Sequence, residues 1–273
     1  MQVFSASPRE LAASFWRNRQ LIMQLTKREA IGRYRGSVMG LAWSFLNPLL
    51  MLVVYTFVFS VVFKARWGLG DSESKTDFAL LLFAGMIVHS LFAECVNRAP
   101  VLILGNANYV KKVVFPLEII PWTALGAALF HATISLAVLL LAQLVLRQTL
   151  PWTALLLPMV LLPLVLGVMG LSWLLAALGV YLRDVGQVVS IFTTITMFMS
   201  GVFFPTHSLP PQYQFWVRLN PLTVVIEQAR DVLIFGHLPD FSVWLLLLLL
   251  GSVLAWLGFS WFQKTRKGFA DVI

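Results

Sequence analysis

WTALLLPMVLLPLVLGVMGLSWLLAALGVYLRDVGQVVSIFTTITMFMSGVFF, residues 152–204, carries only two charged side chains in 53 positions, the adjacent Arg183 and Asp184. At about 1.5 Å of rise per residue this stretch is far too long for one bilayer crossing, which takes roughly 20 residues. It suits two crossings, and Tyr181-Leu182-Arg183-Asp184 falls where the turn between them must lie. The charged pair therefore marks a membrane surface. A turn this short, with a fixed cation and a fixed anion, either caps two helices or is gripped by a partner.

The remainder of the chain reads the same way. Hydrophobic residues make up 59% of the 273 positions, charged residues 12%, and mean hydropathy is +0.83, the signature of a polytopic membrane protein. Apolar stretches at 41–63, 78–96, 119–146, 153–180, 186–204 and 241–262 predict an all-α membrane protein with six transmembrane helices. A single cysteine, Cys95, rules out an intrachain disulfide, and the four histidines show no metal-ligand spacing. The first 35 residues are polar and basic, without the compact apolar core of a cleavable signal peptide.

The net charge of +8 is not spread as a nucleic-acid binder would spread it. Residues 1–40, 97–118, 181–185 and 263–273, with Glu94, hold 14 Lys or Arg against 6 Asp or Glu; the intervening segments hold 6 against 6. All of the excess lies on one face. The positive-inside bias makes that face cytoplasmic, with both termini inside.

Ser7-Pro8-Arg9-Glu10 is a capping-box pattern, predicting a helix start with Glu10 reaching back to the Ser7 amide. The helix it opens is amphipathic, basic and aromatic, which belongs at the bilayer surface, either as one helix or as two bent near Asn18. Asn47-Pro48 is expected to kink the first span or end a helical turn, and Tyr55, Phe59 and Phe63 recur every four residues on it as one aromatic stripe. The segment 205–240 reads as two short external helices, the first opened by Pro210-Pro211 and carrying Phe215 and Trp216. Asn220-Pro221 caps the second and Gly236 stops it. Pieces too short to span suggest a dip into the membrane or a lid over a pore.

Several kinds of chemistry are missing. No Gly-x-x-x-x-Gly-Lys-Ser/Thr loop exists to cradle nucleotide phosphates, and no nucleophile–base set appears, so the chain is not read as an enzyme. Glu94 and Glu118 lie near helix ends and His131 reads as a contact between helices, which argues against an ion-coupled pump. A transport body without an engine needs an energy-supplying partner or works passively.

Arg33-Tyr34-Arg35-Gly36-Ser37-Val38-Met39-Gly40-Leu41-Ala42-Trp43, followed by Asn47-Pro48-Leu49-Leu50, resembles the start of the first span in type-2 ABC exporter permeases. The similarity is greatest to the branch handling O-antigen, capsule and teichoic acid. Lys111-Lys112-Val113-Val114-Phe115-Pro116-Leu117-Glu118, Tyr181-Leu182-Arg183-Asp184-Val185 and Leu219-Asn220-Pro221-Leu222-Thr223 match as well, in the same order. The resemblance implies a homodimer paired with two ATPase subunits, which bind the ATP and Mg, and a channel for a lipid-linked polysaccharide at the dimer axis of a bacterial inner-membrane protein. It implies a cytoplasmic interfacial gate helix in residues 1–40, with Arg28, Arg33, Tyr34 and Arg35 at the gate. The six-span domain would occupy 41–262 and a basic tail 263–273. Asn108, Tyr109, Lys111, Lys112, Arg183 and Asp184 would couple to the ATPase, while Phe204, Phe215, Trp216, Asn220 and Pro221 would form an external gate.

Sugar rings present apolar C–H faces that aromatic side chains can stack on without exact register, as a sliding polymer requires. Tyr55, Phe59, Phe63, Phe192, Phe198 and Phe203 are the candidate channel aromatics, against ordinary packing between helices. A second reading keeps the permease but changes the cargo to a drug or small lipid. A third, an ion-coupled transporter or membrane transferase, needs an intramembrane carboxylate or a surface acidic cluster.

Overall fold

The computed structural model describes residues 5–34, 36–63, 67, 75–111 and 115–273; Arg35 and Lys112 lie outside them. Among the described residues the secondary structure is helical throughout: α1 (Pro8–Gly32), α2 (Ala42–Tyr55), α3 (Lys75–Arg98), α4 (Ala107–Val110), α5 (Ile120–Arg147), α6 (Leu157–Tyr181), α7 (Val185–Met199), α8 (Pro211–Arg218), α9 (Pro221–Arg230), α10 (Phe241–Thr265) and α11 (Phe269–Val272). A π-helix, Thr56–Val62, continues α2 and another, Asp231–Phe235, continues α9.

The start of α1 follows the sequence only in part. Ser7 Oγ accepts from the Glu10 amide at 3.2 Å with Pro8 in the first turn, as the capping pattern predicts. The return bond does not form. Glu10 instead accepts from Arg17 Nη2 at 2.7 Å, two turns along the same face, because a charge-assisted bond outweighs one to an amide that water can satisfy. That hydrogen bond raises the Arg17 pKa further. The helix runs unbroken past Asn18, which donates to Ser14 O at 2.9 Å.

Five helical stretches among the described residues are long and apolar enough to cross a bilayer: Ala42–Phe59, Thr76–Val101, Leu117–Arg147, Trp152–Tyr181 and Phe241–Val272. Pro48 does not end the first of them, since α2 passes through it. The expected stretch 186–204 is cut short. Helix α7 has 15 residues, about 22 Å of rise against a hydrocarbon core of about 30 Å, and the chain turns at Gly201 with φ +67°.

Helix α3 runs through the middle, with Ala79, Leu80, Leu81, Leu82 and Ala84 all sealed from solvent. Helices α6 and α10 lie backbone to backbone, because Gly170, Gly251 and Gly258 have no side chain to hold them apart. A Cβ on Gly251 would stand 2.6 Å from Pro163 O, and one on Gly170 or Gly258 would strike the facing carbonyl of Leu254 or Gly170. Close approach through small residues is how helices associate where lipid tails are as apolar as leucine.

The segments carrying the excess positive charge meet at one end of the bundle. Arg98 pairs with Glu29, Tyr181 Oη donates to Thr265 O at 2.9 Å, and Pro100 packs against Gly179 so closely that no side chain fits there. At the opposite end Arg147 donates to Asp77 at 2.7 Å and Thr153 to Val232 O at 2.7 Å, tying segment 205–240 to the spans. Asn220 caps α9 by accepting from the Leu222 amide at 3.0 Å, and Gly236 closes the following π-turn with φ +73°.

Candidate functional site

At the basic end the turn between α6 and α7 projects from the bundle. Arg183 and Asp184 are both exposed, and among the described residues neither side chain has a hydrogen-bond or ion-pair partner. Asp184 stands at the N-cap of α7, yet its carboxylate takes no backbone N–H; only its carbonyl enters the helix, accepting from Val188 N at 3.3 Å. The pair does not cap. It borders an open groove of about 550 Å³ walled by Leu175, Leu178, Val185, Val188 and Val189.

The neighbouring turn is tied to α1. Tyr109, in the single turn of α4, stacks on Phe115 at 4.2 Å and accepts from Arg28 Nη2 at 2.9 Å. Asn108 and Lys111 flank it, exposed. A predicted gate residue and a predicted coupling residue therefore share a hydrogen bond. Past the end of α1, Arg33 Nη1 donates to Glu94 Oε1 at 2.8 Å, and Tyr34 lies edge-on to His131 with ring centroids 6.0 Å apart. Partial burial raises the Tyr34 phenol pKa. His131 Nδ1 lies 3.0 Å from Glu94, so this histidine does join two helices.

Toward the other end, five of the six candidate channel aromatics join in one string. Tyr55, Phe59 and Phe63 follow each other at 6.5 and 5.8 Å, and Phe59 also stacks on Phe203 at 6.0 Å, which stacks on Phe198 at 5.3 Å. Phe63 and Phe198 are more than half exposed, so the string forms a face rather than a core. Phe192 does not join it. It points into an apolar cavity of about 470 Å³ together with Trp216, Asn220 and Pro221. Phe215 packs edge-on to Trp216 at 5.7 Å, both exposed, and Phe204 is half-buried at the turn after α7.

Residues 20–234 match the family model of ABC-2 type transporters, most of the chain. The chain belongs to that family. Its relatives include the O-antigen export system permease protein RfbA of Myxococcus xanthus, 28% identical over 265 residues that cover 96% of this chain and 99% of the relative. The RfbA of Klebsiella pneumoniae is 25% identical over 93% of this chain and 95% of its own length. The polysialic acid transport protein KpsM of Escherichia coli is 22% identical over 78% and 80%.

Two charged groups outside the predicted site residues organise this transporter. Glu118 accepts from Ser14 Oγ at 3.0 Å and from Arg266 Nη1 at 2.8 Å, while its carbonyl accepts from Trp173 Nε1 at 3.0 Å. One residue thus binds α1, the start of the third span, α6 and the end of α10, with both charged side chains 8% exposed. Arg230 is wholly buried, donating to Leu81 O at 2.9 Å, Gly201 O at 2.8 Å and Val202 O at 2.7 Å, with its guanidinium 4.4 Å from the Trp67 ring centre. Burial pushes its pKa down to about 9, which leaves it charged at neutral pH. The available signal was position: Arg230 falls four residues after Ile226, on the apolar stripe of α9.

Proposed function

We propose that this transporter is the permease subunit of an ATP-driven exporter that moves a lipid-linked polysaccharide across the bacterial inner membrane. Two copies would form the channel at their interface, and α7 would complete a six-span domain over 41–262 whose termini lie in the cytoplasm. Near-full-length relatives named as O-antigen export permeases support the cargo class. The observation that carries the energy coupling is the unpaired, exposed Arg183-Asp184 turn over its groove. Leaving two opposite charges adjacent but unused within the chain makes sense where a second protein supplies their partners.

Each of two ATPase subunits would hold this turn in a cleft, with Asn108, Tyr109, Lys111 and Lys112 at the same contact. ATP and Mg would stay on that partner. The Arg28–Tyr109 bond then gives ATPase closure a direct mechanical route into α1, the gate helix. The aromatic string would line the polymer path, facing the second copy rather than lipid. Helices α8 and α9 would dip in from outside, bringing the external-gate residues Phe204, Phe215, Trp216, Asn220 and Pro221 to its mouth. The apolar cavity beside Phe192 favours the alternative cargo, a drug or small lipid.

Replacing Arg183 and Asp184 together by Ala tests the reading in cells that depend on this protein for surface polymer. Export should fall at least about fivefold, the low end of a coupling free energy of 1–3 kcal/mol, at unchanged protein level. Unchanged export would remove the docking role, and unchanged surface polymer on deletion of the whole protein would remove the polysaccharide reading.

A further inference from the structure

Apart from the aromatic string and the apolar cavity, the spans border a third, partly open space. A cavity of about 530 Å³ lies between α2, α3 and α5 near the basic end, in the size range of ligand pockets. Its wall is polar for a membrane interior. Arg33, Glu94 and His131 form a cluster on one side, and Asn47 and Ser90 face it with side chains that make no hydrogen bond among the described residues. Ser90 stands out because it is exposed on α3, the most buried of the spans. Polar groups left unpaired in an apolar domain are costly, so this space is built to hold water or a hydrogen-bonding ligand.

The chemistry of the wall narrows the ligand. The single cation Arg33 is already balanced by Glu94 at 2.8 Å, so the site offers no net positive charge to a phosphate or an acid. What remains is a carboxylate with spare acceptor capacity, a hydroxyl, an amide and the rings of Trp43 and Tyr55. Donors and acceptors around an aromatic platform suit a neutral, hydroxyl-rich ring. Tyr55 belongs to both places: it lines this cavity and begins the string at 6.5 Å from Phe59.

We propose that this cavity is an intrasubunit glycan subsite that receives one sugar unit at the foot of the aromatic string, before the chain passes to Phe59. The proposal rests on the polysaccharide reading. It makes Glu94 and His131 sugar-binding residues rather than helix ties alone, with Arg33 holding the carboxylate in place from the gate linker.

The test is thiol protection at Ser90→Cys. Native Cys95, 1% exposed, supplies a low background. Inside-out vesicles carrying the full transporter are treated with a water-soluble methanethiosulfonate, from cells that make the lipid-linked polymer and from cells blocked in its first sugar-transfer step. Labelling at Ser90→Cys should be slower by about threefold or more when polymer is present, the protection given by a site two-thirds occupied. Equal rates at Ser90→Cys, or no labelling in either vesicle, would overturn the subsite. If polymer protects Phe63→Cys on the string meanwhile, the export reading survives that failure; if deletion of the protein leaves surface polymer intact, it is the export reading that fails. Ser90→Leu, which fills the cavity from an open position, should lower export with normal assembly, and wild-type export by an assembled Ser90→Leu protein would also count against the site.

Discussion

Arg230 and Arg183 are the same residue in opposite circumstances. Arg230 is sealed from solvent, its donors are spent on three backbone carbonyls, and a tryptophan ring covers its plane. Arg183 lies in the open beside an equally idle aspartate. A guanidinium offers five donors in a fixed fork, so where they go identifies its work. The first cation holds the fold at the end where α8 and α9 sit. The second makes no side-chain bond among the described residues and so stays available to a partner of opposite charge. The two ends of the bundle differ accordingly: one spends its buried arginine on backbone carbonyls, and the other, beside the buried Glu118–Arg266 pair, carries an exposed turn of opposite charges.

The sharpest way to break the contrast is Arg230→Met. It leaves the carbonyls of Gly201 and Val202 buried and unpaired, at about 1–3 kcal/mol each, and removes a third, charge-assisted bond from the Leu81 carbonyl, which keeps its helical partner in α3. The loss should total at least about 3 kcal/mol and lower the melting temperature of the solubilised protein sharply. Arg230→Lys should recover only part of it, because a point charge cannot reach three carbonyls as a fork does. A melting curve like that of the unmodified protein would mean the contacts are incidental.

Next in size is the buried pair at the basic end. Glu118→Gln keeps an acceptor for Ser14 but removes the charge facing Arg266, at a cost of roughly 1–3 kcal/mol. Its melting temperature should fall by less than that of Arg230→Met. Limited proteolysis of Glu118→Leu, which also takes away the acceptor of Ser14, should cut α1 faster. Protection of α1 equal to that of the unmodified protein would limit Glu118 to the contact between the third span and α10.

Smaller again is Phe59→Leu. It keeps apolar bulk at the branch point of the string but gives up the stacking on Phe78 and Phe203, worth about 0.5–1.5 kcal/mol per pair. Stability should move little and export should drop. Equal export at equal protein level would show that the string is packing between helices and not a path.

Much of the fold was legible because hydropathy is local. The expected spans 119–146 and 153–180 differ from Leu117–Arg147 and Trp152–Tyr181 by only one or two residues at each end. The end of α7 was not legible. Ser200-Gly201-Val202-Phe203-Phe204 reads as more of the same apolar helix, but Arg230, 28 and 29 residues further on, draws the carbonyls of Gly201 and Val202 out of helical pairing. Phe192 parts from Phe198 within α7 itself, since six residues set them about 120° apart around the helix, while Phe203 lies past its end at Met199 and reaches Phe198 across the turn. The Glu94–His131 contact joins residues 37 positions apart, which no local pattern encodes. Helix α1 and the pair α8–α9 were readable as helices, since their signals are the caps Ser7 and Asn220, prolines in the first turns and amphipathic spacing.

The smallest effect on the fold should come with the largest effect on coupling. Exchanging the two charges, Arg183→Asp with Asp184→Arg, keeps composition, net charge and turn length. With no hydrogen-bonded or ion-paired partner among the described residues to lose, the exchange gives up only the placement of Asp184 at the N-cap of α7 and of Arg183 just past α6, about 0.3–1 kcal/mol each, and the melting temperature should fall only slightly. A partner cleft built for a cation followed by an anion meets like charge at both positions, an arrangement that costs specificity far more than stability. Co-purification with the ATPase should weaken and its stimulation disappear, and added salt should reduce the difference by screening the mismatch. Coupling that survives the exchange would mean the turn works by shape alone, and the groove walled by Val185, Val188 and Val189 would then be the surface to alter.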